Sequence, residues 1–258
     1  MSPVDPAARP LYRFAYVPGV HDRIEELSLL AEPEEWNYRH TPQEIPRPIL
    51  YNYLHYTFAR LEEQGKVSFS EDQQAAAFNT GLVTINQEPI YAYFDKHRQA
   101  DVQPWFFQRF VRKGEGQLNR FKTLPELATF FDDPSHLVLD SRLEIRINIE
   151  HIAADNRERF PEPFRSMDAY VIQTVLKGAL DNAIERVKRN YKAAIPQFYQ
   201  GRVQLLLPLC LATSQRADLA VVIERFEGFY RASTCLTLDM AYNNARVLAR
   251  PDRDWLQP

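Results

Sequence analysis

From Leu143 to Glu150 the chain alternates apolar and polar residues without a break, and from Met167 onward apolar residues return about every fourth position. Leu143, Ile145, Ile147 and Ile149 fall on one side of an extended chain, and Glu144, Arg146, Asn148 and Glu150 on the other. The later row, Val171, Val175, Ala179, Ala183, Val187 and Tyr191, is the stripe of an amphipathic helix, with Ser166 placed to cap it and Lys192 near its end. A chain that changes period from two to about four within one stretch must build sheet and helix together. This predicts an α+β fold, with antiparallel sheet meanders packed against several helices.

The remaining segments agree. Residues 1–10 hold three prolines and no periodicity, which reads as a disordered tail, leaving 11–258 as a single domain. "LYRFAYVP" reads as extended, and "HDRIEELSLLAE" as a helix. Pro48 suits the first turn of a helix that runs through Leu50, Leu54, Phe58 and Leu61 and stops at Gly65. "AAAFNTGLVTI" and "PIYAYF" flank "NQE" as a hairpin, apolar at nearly every position and so central in its sheet. Gly81 inside it marks a bulge or a close approach to the backbone. "QPWFFQRFVRK" is a strand leading into a loop, and "LPELATFFDDP" a short helix. "VQLLLPLCLA", "DLAVVIER" and "YRASTCLTL" are strands, and Asp239 caps a last helix, "MAYNNARVL". No internal repeat and no composition break demands a domain boundary.

Several function classes drop out. The glycines are scattered, with neither P-loop nor dinucleotide spacing; no Cys/His set has zinc spacing, so no metal ligands are assigned; no serine sits in a nucleophile elbow. No apolar run approaches the roughly 18 residues of a membrane span, and the N-terminus does not read as a signal peptide. Cys210 and Cys235, the only two cysteines, lie in strand-like apolar runs as buried, inert thiols, which suits a cytoplasmic protein.

Net charge is −3, but it is unevenly spread. Residues 1–45 carry four Arg/Lys against eight Asp/Glu, and residues 155–204 nine against six. Within that basic middle, "RVKRNYKAAIPQFYQG" sets Arg186, Lys188, Arg189 and Lys192 around Tyr191, then adds Gln197, Phe198 and Tyr199. Cations complement a helix C-terminus by a few tenths of a kcal/mol each. The same mixture of cations, rings and amides is what single-stranded nucleic acid requires. Both readings stay open.

Three further groups are candidates. Arg146 and Asn148 lie on the polar strand face, followed by His151, Asp155, Asn156, Arg157 and Arg159, a mixture suited to a phosphate or a base edge, with His151 able to move protons. Asn79 stands in an apolar hairpin. Tyr242, Asn243 and Arg246 follow Asp239 on the last helix. The leading expectation is binding of RNA or a nucleotide through Arg146, Asn148, Asn156, Arg159, the 186–199 stretch, Asn79, Tyr242, Asn243 and Arg246. The alternative is an enzyme acting on RNA ends or nucleotides, with His151, Asp155 and Asp239 as its acid–base groups or as ligands of a divalent metal. A protein scaffold using the acidic front is a third.

"YNYLHYTFARLEEQGKV", "FNTGLVT", "IYAYF", "RVKRNYKAAIPQFY", "LLLPLCL", "ADLAVVIER" and "LTLDMAYNNARVLARP" together resemble the OST-HTH-associated domain family over roughly residues 10–256. That family is a domain of unknown function, found alone or beside winged-helix OST-HTH modules that bind RNA. The resemblance implies a role linked to RNA, with a separate OST-HTH protein as a partner, and carries over no catalytic residues.

Overall fold

The computed structural model describes residues 9–99, 102–251 and 255–256. The expected tail falls, apart from Arg9 and Pro10, outside the described residues. The fold is α+β, as the two periodicities require, and its residues gather into two compact units: Met1–Tyr38 with Pro42–Thr129, and Arg39–Thr41 with Phe130–Pro258. Each unit contains one five-stranded sheet.

In the first unit α1 (Pro10–Phe14) leads into β1 (Ala15–Tyr16), so "LYRF" is a helical turn begun by Pro10 where an extended segment was expected. α2 (Val20–Leu30) and α3 (Pro48–Glu63) follow, then β2 (Ser68–Phe69), β3 (Ala75–Val83), β4 (Pro89–Lys96) and β5 (Trp105–Arg112). The sheet order is β1-β5-β4-β3-β2, which places the predicted hairpin in the centre. α3 begins at Pro48 and stops before Gly65, and packs its Phe58 ring 5.0–5.1 Å from Phe14 and Phe78. Residues 124–133, expected as a short helix, are irregular. α3 and the turn after it supply the reason: Arg60 Nε and Gln64 Nε2 donate to the Thr129 carbonyl and Lys66 Nζ to the Leu127 carbonyl, so these acceptors have partners without a helix.

The second unit runs β6 (Glu144–Ile147), α4 (Ile149–Asp155), α5 (Ala169–Arg189), β7 (Ile195–Tyr199), β8 (Arg202–Leu209), β9 (Leu219–Phe226), β10 (Phe229–Leu236) and α6 (Leu238–Arg246). Its sheet order is β6-β10-β9-β8-β7. β7 carries Pro196 and was not expected as a strand; it lies at the sheet edge, where proline is tolerated. The polar alternation stops at Ile147 because the Asn148 side chain accepts from His151 N and caps α4, turning Ile149 and Glu150 into a helix.

α5 is capped by Asp168 rather than Ser166. It buries Ile172, Leu176, Ala179, Leu180, Ala183 and Val187 against Leu205, Leu207, Val221 and Ile223, whereas Val171 is exposed. A strict four-residue row rotates about 40° per step around a helix of 3.6 residues per turn. The expected row therefore leaves the core at its N-terminal end, and Ile172, Leu176 and Leu180 take its place. Each such buried side chain contributes about 1.5–3 kcal/mol.

Both sheets share one topology. Numbered within its own unit, each has strand order 1-5-4-3-2, an antiparallel meander from strand 2 to strand 5, and a first strand that runs parallel to the fifth. In each, two helices separate the first strand from the meander. The repeat is carried by the fold, with no counterpart in the residue pattern.

Candidate nucleic-acid interface

In the second unit, Tyr230, Ala232, Ile223 and Leu205 point into the core beneath α5. Alternation sends their neighbours to the opposite face. Register then sets Phe229 beside Phe226 and Glu144, and Arg231 beside Glu224 and Arg146. On β7 and β8, Tyr199 is paired with Arg202 across a turn whose Gln200 and Gly201 have φ of 49° and 79°, the left-handed pair that a two-residue hairpin loop needs.

α6 packs on part of this face. Its Asn244 Nδ2 donates to Gln197 Oε1 at 3.2 Å, and Gln197 Nε2 donates to Gln204 Oε1 at 2.8 Å, so Gln197 is buried as a fastener. Beyond it the face is open. Tyr199 and Phe226 are each 38% exposed. Phe226 and Phe229 are stacked at 5.4 Å with an interplanar angle of 11°, and the Arg146 guanidinium lies 4.0 Å from the Phe229 centroid. Arg146 also reaches Glu144 at 2.9 Å, and Glu224 accepts from Arg202 and Gln204. Arg231 is exposed and makes no ion pair among the described residues. With strands about 4.8 Å apart, these rings and guanidinium groups span a surface on the scale of a few nucleotides. Flat rings offer stacking, and three arginines against two glutamates leave a small positive balance.

The other expected residues are dispersed. At the end of α5, Lys188 and Arg189 both pair with Glu185, at 2.8 and 3.5 Å, and the Lys188 hydrogen bond leads in holding the Glu185 carboxyl below its ordinary range. Arg186 donates to the Ser214 carbonyl. With Asn182, Arg189 and Asn190 it lines a cleft of about 500 Å³. Tyr191, 61% exposed, and Lys192 stand on the following turn. The basic stretch thus carries its own carboxylate, and of its aromatic and amide residues Tyr199 reaches the open face while Gln197 does not.

His151 Nδ1 meets Asp155 Oδ2 at 3.2 Å on an exposed face of α4. Asn156 is buried and its Oδ1 accepts from Thr234 Oγ1, Cys235 N and Arg159, which also bonds Thr234, so this pair ties α4 to β10. Asn79 Oδ1 accepts from Gly81 N at 3.0 Å inside the first unit. Asp239 is not the cap of α6, since Thr237 accepts from Met240 N there. Asp239 is buried and accepts from Arg39 N, His40 N and Thr41 Oγ1, at 3.2, 3.1 and 2.7 Å. Tyr242 and Arg246 are buried on the same helix as Asn243. Burial raises the Cys235 thiol to about 12 and also raises half-buried Cys210. Among the described residues no three His, Cys, Asp or Glu side chains gather as metal ligands, and no helix is long and apolar enough to cross a membrane.

A family model matches residues 27–255. The chain belongs to the DUF3825 family, a domain of unknown function. No curated protein and no solved structure matches it. The family match takes in residues of both units of this DUF3825 chain.

Sequence reading of the DUF3825 chain missed Phe226, Phe229, Arg202 and Arg231. A signal was present: "RFEGFYR" sets two phenylalanines either side of Glu227-Gly228, and Gly228 has φ 81°. A two-residue turn there makes the rings direct cross-strand neighbours. What the sequence does not show is that α6 leaves them uncovered.

Proposed function

We propose that this protein binds single-stranded RNA on the open sheet face of its second unit. The observation that carries this reading is the stacked Phe226–Phe229 pair, with Phe226 exposed and half-buried Phe229 overlaid by Arg146. Exposed rings on a sheet recognise bases that are already unstacked, which favours single strands over duplexes. Arg202, Arg231 and Arg146 meet phosphates between the stacked bases. The resemblance of several segments to OST-HTH-associated domains supports an RNA-linked role alongside a separate OST-HTH partner, and two free cysteines suit a cytoplasmic setting.

Fluorescence anisotropy with a labelled single strand and the matching duplex, over a salt series, tests the reading. Binding confined to the single strand is expected, with a log–log salt slope of about −2 from three phosphate contacts at about −0.7 each. Equal binding of the duplex, or none of either, overturns it.

A further inference from the structure

The open face of the second unit has a counterpart in the first. Register aligns Tyr16, Phe106 and Asp95 on β1, β5 and β4, as it aligns Glu144, Phe229 and Phe226 on β6, β10 and β9. Both rows lie at the start of the unit's last strand, on the face turned away from its helices. In the first unit the opposite face holds Phe94 and Phe78, and Phe78 meets Phe58 of α3. In both units the stretch directly after the last strand covers the remainder of the face. Leu118 and Phe121 do so over Tyr91 and Tyr93, as α6 does in the second unit.

What stays open in the first unit is again rings beside cations. The Phe106 ring lies 5.7 Å from both Tyr16 and His97. A cleft of about 530 Å³ is lined by Phe106, His97, Lys96, Arg98, Gln108 and Arg120. Arg120 is committed: it donates to Tyr93 Oη at 2.8 Å and pairs with Asp72 and Asp95 at 3.1 and 3.4 Å. Of those partners, Asp95 also lines the cleft. Lys96 lies over Trp105 at 4.8 Å, and neither it nor Arg98 makes an ion pair among the described residues. Arg98, with no ion pair among the described residues, thus stands beside the half-exposed rings of His97 and Phe106, whereas Lys96 is turned to buried Trp105.

We infer that this cleft is a second binding site, for a nucleotide, whose base stacks on His97 and Phe106 while its phosphate meets Arg98. Its location rests on the first unit alone; the choice of ligand class rests on the RNA reading of the second. Base and phosphate are common to a free mononucleotide and to a residue within a strand, and the test separates them.

The full chain is irradiated with 8-azidoadenosine monophosphate, or with a short oligoadenylate carrying one 8-azidoadenosine, and labelled peptides are mapped by mass spectrometry. Label is expected in the peptides holding His97 and Phe106. It should fall at least severalfold in an Arg98→Glu variant, with labelling near Phe226 and Phe229 retained. Labelling there by the monophosphate identifies a free nucleotide as sufficient; labelling by the oligomer alone identifies a strand, and either supports the site. Label confined to the Phe226–Phe229 region overturns the second site and leaves the RNA reading standing. Label in neither region overturns both.

Discussion

The Tyr53 hydroxyl stands where a Cβ on Gly81 would have to go. It donates to the Thr80 carbonyl at 3.0 Å, and Gly81, at φ 76°, sits in the bulge where β3 slips register against β4. Asn79 completes the arrangement by accepting from Gly81 N. Backbone conformation and close contact demand glycine here independently.

Gly81→Ala is therefore expected to destabilise the first unit by about 2–4 kcal/mol, combining left-handed strain with overpacking. Chemical denaturation measures this. In a Tyr53→Phe background the added cost of Gly81→Ala should be smaller, since the clashing oxygen is gone. Equal costs in both backgrounds would show that Tyr53 plays no part.

His55 gives the first unit a pH dependence. It is buried between the rings of Tyr12 and Tyr51, at 4.8 and 4.6 Å, and burial, with a smaller contribution from Arg9, lowers its pKa to about 3. The unfolded chain takes up this proton near pH 6.5, whereas the folded chain does not until about pH 3. Stability should thus be unaffected by this group above pH 6.5 and fall by about 1.4 kcal/mol per pH unit as pH drops from there toward 3. Urea midpoints at several pH values read the slope, and His55→Phe should remove its share of it. An unchanged slope in that variant would count against the assignment.

Thr237 and Asp239 divide two jobs that the sequence merges. Thr237→Ala should cost about 1 kcal/mol through the lost cap. Asp239→Ala should cost more, about 2–4 kcal/mol, because two backbone amides and the Thr41 hydroxyl lose a buried carboxylate acceptor. Thermal unfolding of the two variants ranks them. A larger loss for Thr237→Ala would reverse the assignment.

These cases mark how far the sequence reaches. The β3–β4 hairpin, its bulge glycine and the bounds of α3 follow from local chemistry: apolar strands, a residue free to take positive φ, and proline at a helix start. Local rules gave way where a distant group supplied the hydrogen bonds. Residues 124–129 lost their helix to donors on α3 and the turn after it, and Asp239 was drawn from capping by the amides of Arg39 and His40. The site was legible in part. Arg146 and Tyr199 do share the open face, but their partners come from three other strands, and only tertiary cover decides which rings remain exposed.

The most direct test of the RNA reading is the affinity of a labelled single-stranded RNA for the Phe226→Ala/Phe229→Ala variant. Loss of base–ring stacking is worth about 1–3 kcal/mol per base, so binding should weaken at least about tenfold. Both rings are solvent-accessible in part, and circular dichroism and melting temperature should confirm that the variant still folds. Affinity equal to that of the parent chain, in a folded variant, would contradict the account.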